Sequence, residues 1–204
     1  SDGRCRTGKI MKYNPKTGKR VKDENTKGKI NWVHSILKRT GHLPEEWELT
    51  QCLFGEHLLK QFPDMPVALV ESEKTAIICS GLMPDYLWLA TGGKSQFNER
   101  LKVLYGRDVV AFPDVDGYTT WCEKVKDFPD LNISVSNLLQ SNATSEDMEN
   151  HIDIADWLIR WKLQPETFET EKRNITFEKV KAFVSEEYHE EVLALIEDLD
   201  LIIF

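Results

Sequence analysis

Cysteine is scarce in this chain, with 4 in 204 residues, and Cys5, Cys52, Cys79 and Cys122 stand far apart. The absence of a Cys-x-x-Cys or Cys-x-x-His pair excludes a zinc ribbon in this stretch and argues against a disulfide framework. The five histidines, His34, His42, His57, His151 and His189, never fall at metal-ligand spacing, so a zinc site built from them alone is not expected. There is no Gly-x-Ser-x-Gly elbow and no Gly-x-x-x-x-Gly-Lys-Ser/Thr loop, which removes the serine-hydrolase and nucleoside-triphosphatase readings. No apolar run approaches the roughly 18 to 20 residues needed to span a bilayer, and the start is basic and polar without a signal-peptide core. A cytoplasmic location without a membrane partner is the expectation. Internal repeats and low-complexity segments are also lacking.

What is present begins with charge, and the net value of −8 hides a division. Residues 1–42 hold 12 Lys and Arg against 3 Asp and Glu, a balance of +9, while the remaining 162 residues hold 14 against 31, a balance of −17. A basic segment ahead of an acidic domain is either a phosphate-backbone footprint or a solubilising surface. Tyr13 is the only aromatic among residues 1–31, so base-stacking capacity there is low. An apolar fraction of 41% and this length suit one α/β domain with an appendage. The abrupt basic opening without Met suggests a piece of a longer protein.

Local pattern divides the chain into 1–62, a basic N-terminal extension of hairpin plus helices; 63–163, an α/β domain; and 164–204, a C-terminal helical segment. Residues 4–22 read as a β-hairpin, with Lys9 to Tyr13 alternating, Asn14-Pro15-Lys16-Thr17-Gly18 as the turn and Lys19 to Lys22 returning. Helical spacing is expected over 30–38, and again from an N-cap at Thr50 to about Phe62. From there the order is strand Val67 to Val70, helix Ser72 to Ser80, strand Tyr86 to Ala90, helix Ser95 to Tyr105, strand Asp108 to Phe112, helix Thr119 to Lys126 and strand Asn132 to Val135. A polar loop over 140–150, a helix from Ile152 to Trp161 and a long amphipathic helix opened by Thr176 complete the reading. The tempo is that of βαβ units: a doubly wound parallel sheet of about four strands with helices on both faces.

Two apolar runs end in carboxylates. Val67-Ala68-Leu69-Val70 leads into Glu71, and Asp108-Val109-Val110-Ala111-Phe112-Pro113 leads into Asp114-Val115-Asp116-Gly117. If the first and third strands are neighbours, their acids emerge together at the carboxyl edge, at a switch point where open sheets build sites. Asp114 and Asp116 are then candidate ligands of one hard cation, and Mg²⁺, with Mn²⁺ as a substitute, suits such an open cluster. By itself Asp-Val-Asp-Gly is better explained as turn formers and N-caps; Glu71 at the matching strand end is what favours a site. Lys74 reads either as a phosphate contact or as a solvated lysine, and Gly92-Gly93 would let a backbone approach closely. Asp153 and Asp156 share a helical face, or act as an N-cap and a surface acid.

Val70-Glu71-Ser72-Glu73-Lys74-Thr75-Ala76, then Thr91-Gly92-Gly93, then Phe112-Pro113-Asp114-Val115-Asp116 resembles the toprim domain of bacterial primases, topoisomerases and related nucleases. The resemblance covers residues 66 to about 160. The whole chain is similar to toprim-containing, primase-like proteins of bacterial mobile elements that carry a zinc ribbon upstream. It implies a toprim-like fold, Glu71 as catalytic general acid or base and as a metal contact, and Mg²⁺ held by Asp114 and Asp116. It also implies Asp153 and Asp156 as additional acids, nucleic acid (DNA) as partner, and association with a replicative helicase or other mobile-element proteins. Nucleotidyl transfer, phosphodiester cleavage and a silent binding module all remain open on this reading. The chain departs from the pattern at Ser72, where toprim domains usually carry Gly. No tyrosine stands in a topoisomerase nucleophile context.

Overall fold

The computed structural model describes residues 5–21, 30–163, 176–178, 180–182 and 184–198. The chain divides into two compact units, Ser1–Cys52 and Leu53–Phe204.

In the first unit, strand β1 (Lys9–Ile10) pairs antiparallel with β2 (Asn31–Trp32), in register Lys9↔Trp32. The expected turn over 14–18 is present: Asn14 Oδ1 accepts from the backbone of Lys16 and Thr17, and Gly18 takes φ +64°. The expected hairpin is otherwise reduced to one bridge, Tyr13↔Arg20, because Lys9 and Ile10 pair with β2 instead. Trp32 offers Lys9 a ring face 6.0 Å away across that pairing. Helix α1 spans Val33–Arg39 and stops where Gly41 adopts φ +71°. No described residue of this unit is fully buried.

The second unit is mixed α/β. Strands β3 (Val67–Val70), β4 (Leu87–Ala90), β5 (Asp108–Ala111) and β6 (Asn132–Val135) form a four-stranded parallel sheet in the order β4-β3-β5-β6. The period-2 alternation of a strand gives each face its own core. Ala68, Val70, Trp88 and Ala90 face helices α2 (Glu73–Leu82) and α6 (Ile154–Leu163), through Ala76, Cys79, Ile154, Ala155 and Leu158. Val67, Leu69, Leu87, Leu89, Val109 and Ala111 face Phe97, Leu101, Leu104 and Trp121, the last on α3 (Tyr118–Val125). Because β3 and β5 are adjacent while their connections leave on opposite faces, the carboxyl edge opens between them.

Four expected elements differ here. The helix from Thr50 to Phe62 is only a 3₁₀ turn at Glu56–Lys60, since Phe54 pairs with Ala90 and Gly55 takes φ +81° against β4. A Cβ at Gly55 would stand 2.8 Å from Leu89 Cδ2 and 3.1 Å from the Trp88 carbonyl oxygen. Arg107 then ties this segment down by donating to the carbonyls of Leu59, Phe62 and Met65. The helix from Ser95 to Tyr105 is two 3₁₀ pieces, Lys94–Gln96 and Glu99–Leu104, interrupted by extended Asn98, whose Oδ1 accepts from the Arg100 N–H. The polar loop over 140–150 is instead helical, with α4 (Leu138–Asn142) and α5 (Ser145–Asn150). Thr144 and Asp147 form a reciprocal capping box there, and Asp147 also pairs with Arg160 at 3.0 Å.

The long terminal helix is likewise not continuous. Helical residues 176–178 and 180–182 are followed by extended Ser185, a turn at Glu186–Tyr188 and a helix at His189–Asp198. Expectations for Phe183 and for residues 201–204 lie outside the described residues. Among the described residues no helix is long and apolar enough to cross a membrane.

Candidate active site

Strand β3 delivers Glu71 straight from a fully buried apolar run, and the carboxylate stays buried at 7% exposure. Its Oε1 has no hydrogen-bond partner among the described residues. Burial pushes its pKa up against the pull of Lys94; the Asp116 charge adds to the rise, while a backbone hydrogen bond from Asp114 and the charge of Lys124 oppose it. A carboxylate that is desolvated and incompletely bonded is costly to keep, so something other than stability accounts for it at this position.

The loop after β5 closes over that carboxylate. A Cβ at Gly117 would stand 3.0 Å from Glu71 Oε1 and 3.0 Å from Pro113 Cβ. Gly117 itself has φ −99°, an ordinary value, so the glycine serves close approach and not an unusual turn. Asp114, half-buried in the same loop, has its pKa pushed up to about 8, first by burial and then by the charges of Glu71, Asp153 and Asp116, against Lys94. The structure thus brings Glu71 and Asp114 together as a mutually repelling acid pair.

Asp116 goes elsewhere. Its side chain is 48% exposed and bonds the Lys94 ammonium at 3.1 Å, with His151 Nδ1 at 3.7 Å. Lys94 also donates to the Asp116 carbonyl at 2.9 Å, and Lys124 donates to the Lys94 carbonyl at 3.2 Å. Among the described residues no group of three or more His, Cys, Asp or Glu is arranged to hold a metal ion. Asp116 is thus near enough for its charge to raise both Glu71 and Asp114, while its own carboxylate is paired with an ammonium.

Gly92 and Gly93 line the same edge. Gly92 N–H donates to the Glu71 carbonyl at 2.9 Å, Gly92 has φ +90°, and Gly93 has φ +154°. These dihedrals, with Thr91 Oγ1 donating to the Gly93 carbonyl, turn the chain so that Lys94 reaches Asp116. Lys74 lies 3.6 Å from Asp153. Asp153 caps α6 by accepting from Ala155 and Asp156 N–H and receives the Thr75 hydroxyl at 2.7 Å; Asp156 accepts from Asp153 N–H. Asp153 thus acts as a cap and also holds Thr75 and Lys74, and it is near enough to raise Asp114. Lys94 and Lys124 were not singled out from the sequence; a lysine directly after a glycine pair at a strand's carboxyl end was the signal available.

A family model described as a domain of unknown function, DUF6371, matches residues 1–115. This chain belongs to the DUF6371 family. The DUF6371 match reaches through β5 and so includes Glu71, Gly92, Gly93, Lys94 and Asp114, while Asp116, Lys124, Asp153 and Asp156 fall beyond it. No curated protein and no solved structure matches the chain.

Proposed function

We propose that residues 63–163 form a toprim-type, Mg²⁺-dependent module acting on nucleic-acid phosphodiester bonds, within a primase-like protein of a mobile element. The observation that carries this reading is the buried, unpartnered Glu71 oxygen beside the up-shifted carboxyl of Asp114, at the switch point of a parallel sheet. Mg²⁺ commonly takes one or two carboxylates and fills its remaining positions with water and substrate phosphate, and the Glu71–Asp114 pair fits that demand. Asp116 would join only by releasing Lys94. When bound, Mg²⁺ or Mn²⁺ neutralises charge developing on phosphoryl oxygens.

The chain's own groups have separate tasks. Glu71, raised by burial, sits where a carboxyl can hold a proton for a leaving oxygen or take one from an attacking hydroxyl. Lys94 keeps an ammonium at the mouth of the site, available to an anionic phosphate once it leaves Asp116. Gly92 and Gly93 present backbone without side chains at the same edge.

A second reading, a catalytically silent nucleic-acid-binding module of the same fold, is favoured by one observation: Asp116, one of the three candidate acids, is paired with the Lys94 ammonium at 3.1 Å. Activity of wild type against Glu71→Ala separates the two. Ribonucleotide incorporation on single-stranded template indicates primase, cleavage without incorporation indicates nuclease, and identical behaviour of both proteins removes the enzyme reading.

A further inference from the structure

The first unit has 12 Lys and Arg against 6 Asp and Glu over residues 1–52, yet no described residue of it is fully buried. Its aromatic rings are therefore not consumed in a core. Trp32 and His34 have ring centroids 5.8 Å apart, and His34 and Trp47 follow at 5.6 Å, all three half-buried. Lys9 Nζ stands 6.0 Å from the Trp32 ring at one end of the row, and Lys38 Nζ 5.8 Å from Trp47 at the other. The result is a row of cation, ring, ring, ring, cation.

The row is held by local structure. β1–β2 pairing sets Lys9 opposite Trp32, and Trp32 leads directly into α1, which carries His34 and Lys38. Thr7 Oγ1 and His34 Nδ1 are hydrogen-bonded at 2.8 Å, and the same hydroxyl accepts from His34 N–H at 3.4 Å, fixing the imidazole. Lys38 is steadied by donating to the Glu45 carbonyl at 3.4 Å. Gly8 lets β1 pass close to α1, since a Cβ there would stand 2.7 Å from Val33 Cγ2.

We infer that the Lys9–Trp32–His34–Trp47–Lys38 row is a binding site for single-stranded nucleic acid, the rings stacking on unpaired bases and the two lysines meeting the phosphates on either side. Half-exposed rings need a flat apolar face to cover them, and the surrounding positive charge selects a polyanion; an unpaired strand supplies both, whereas a duplex hides its base faces. The site lies in the first unit and does not depend on the acid pair.

The test uses the full chain and fluorescently labelled oligothymidylate of about 15 nucleotides, a length within the usual range for such platforms. Anisotropy is read at low salt with a chelator present, so that no divalent cation bridges strand and acids. Wild type is expected to bind, with affinity falling steeply with salt and at least tenfold weaker for a duplex of equal length. Lys9→Glu combined with Lys38→Glu, in a protein whose fold is checked by circular dichroism, should weaken binding at least tenfold and flatten the salt dependence by about one unit of slope or more. Trp32→Leu should weaken it while Trp32→Phe restores most of it, which a purely structural role of the indole would not produce. Equal affinity for duplex, an unaffected double-charge variant, or no binding at low salt each overturns the inference.

Discussion

Replacing Asp114 with Asn should stabilise the protein, and the gain should follow pH in a defined way. The carboxyl titrates near 3.8 in an ordinary setting and near 8 here. Between those values the folded protein holds a proton that the unfolded chain has lost, so stability falls as pH rises through this window. The displacement corresponds to about 6 kcal/mol against the ionised form at most. Asp114 is only half-buried, and water reaching it reduces the figure to about 2 kcal/mol at pH 7. Asparagine imitates the neutral carboxyl in size and removes the repulsion with Glu71. For a unit of this size Asp114→Asn should raise Tm by about 4 to 8 °C at pH 7 to 8. Below pH 4 wild type carries its own proton, and the difference should vanish. Thermal unfolding followed by circular dichroism from pH 4 to 8, with chelator, reads this directly. A destabilised variant, or a Tm difference independent of pH, would show that Asp114 is an ordinary structural acid and that the repelling pair is wrong.

Lys94→Met removes the counter-ion of Asp116, and Mn²⁺ affinity at pH 8 should rise about tenfold by calorimetry; unchanged affinity would show that Lys94 does not compete with a cation. Gly117→Ala places a methyl 3.0 Å from Glu71 Oε1 and Pro113, which should cost about 1 to 3 kcal/mol by urea unfolding and displace the carboxylate; a neutral result would mean that the loop yields freely. Thr144→Ala breaks the capping box of α5 and should cost about 1 kcal/mol in the same assay; no loss would show that the cap is dispensable.

The sheet was legible because its strands are local: short apolar runs such as Val67–Val70, bounded by Pro66 and Glu71, carry both their length and their ends. Adjacency of the first and third strands was a condition of the carboxylate reading, and the β3–β5 pairing meets it. Helical spacing proved less decisive. Phe97, Leu101 and Leu104 point inward at the expected interval, but 3₁₀ segments bring the same residues to the core, and extended Asn98 left no clear mark in the pattern. The box at Thr144–Asp147 was written in the sequence and was masked by the polar character of 140–150. The position of Lys94 after a glycine pair was visible in the sequence, but its partner was not, since Asp116 becomes its neighbour only once β4 and β5 flank β3. The same holds for Trp32, His34 and Trp47, whose alignment needs both β1–β2 pairing and α1.

The most direct measurement is calorimetric titration of the full chain with Mn²⁺ at pH 8, wild type beside Asp114→Ala. One ion per chain in wild type and none in the variant is the predicted outcome. Equal binding by the two proteins, or none by either, would contradict an acid pair assembled for a divalent cation.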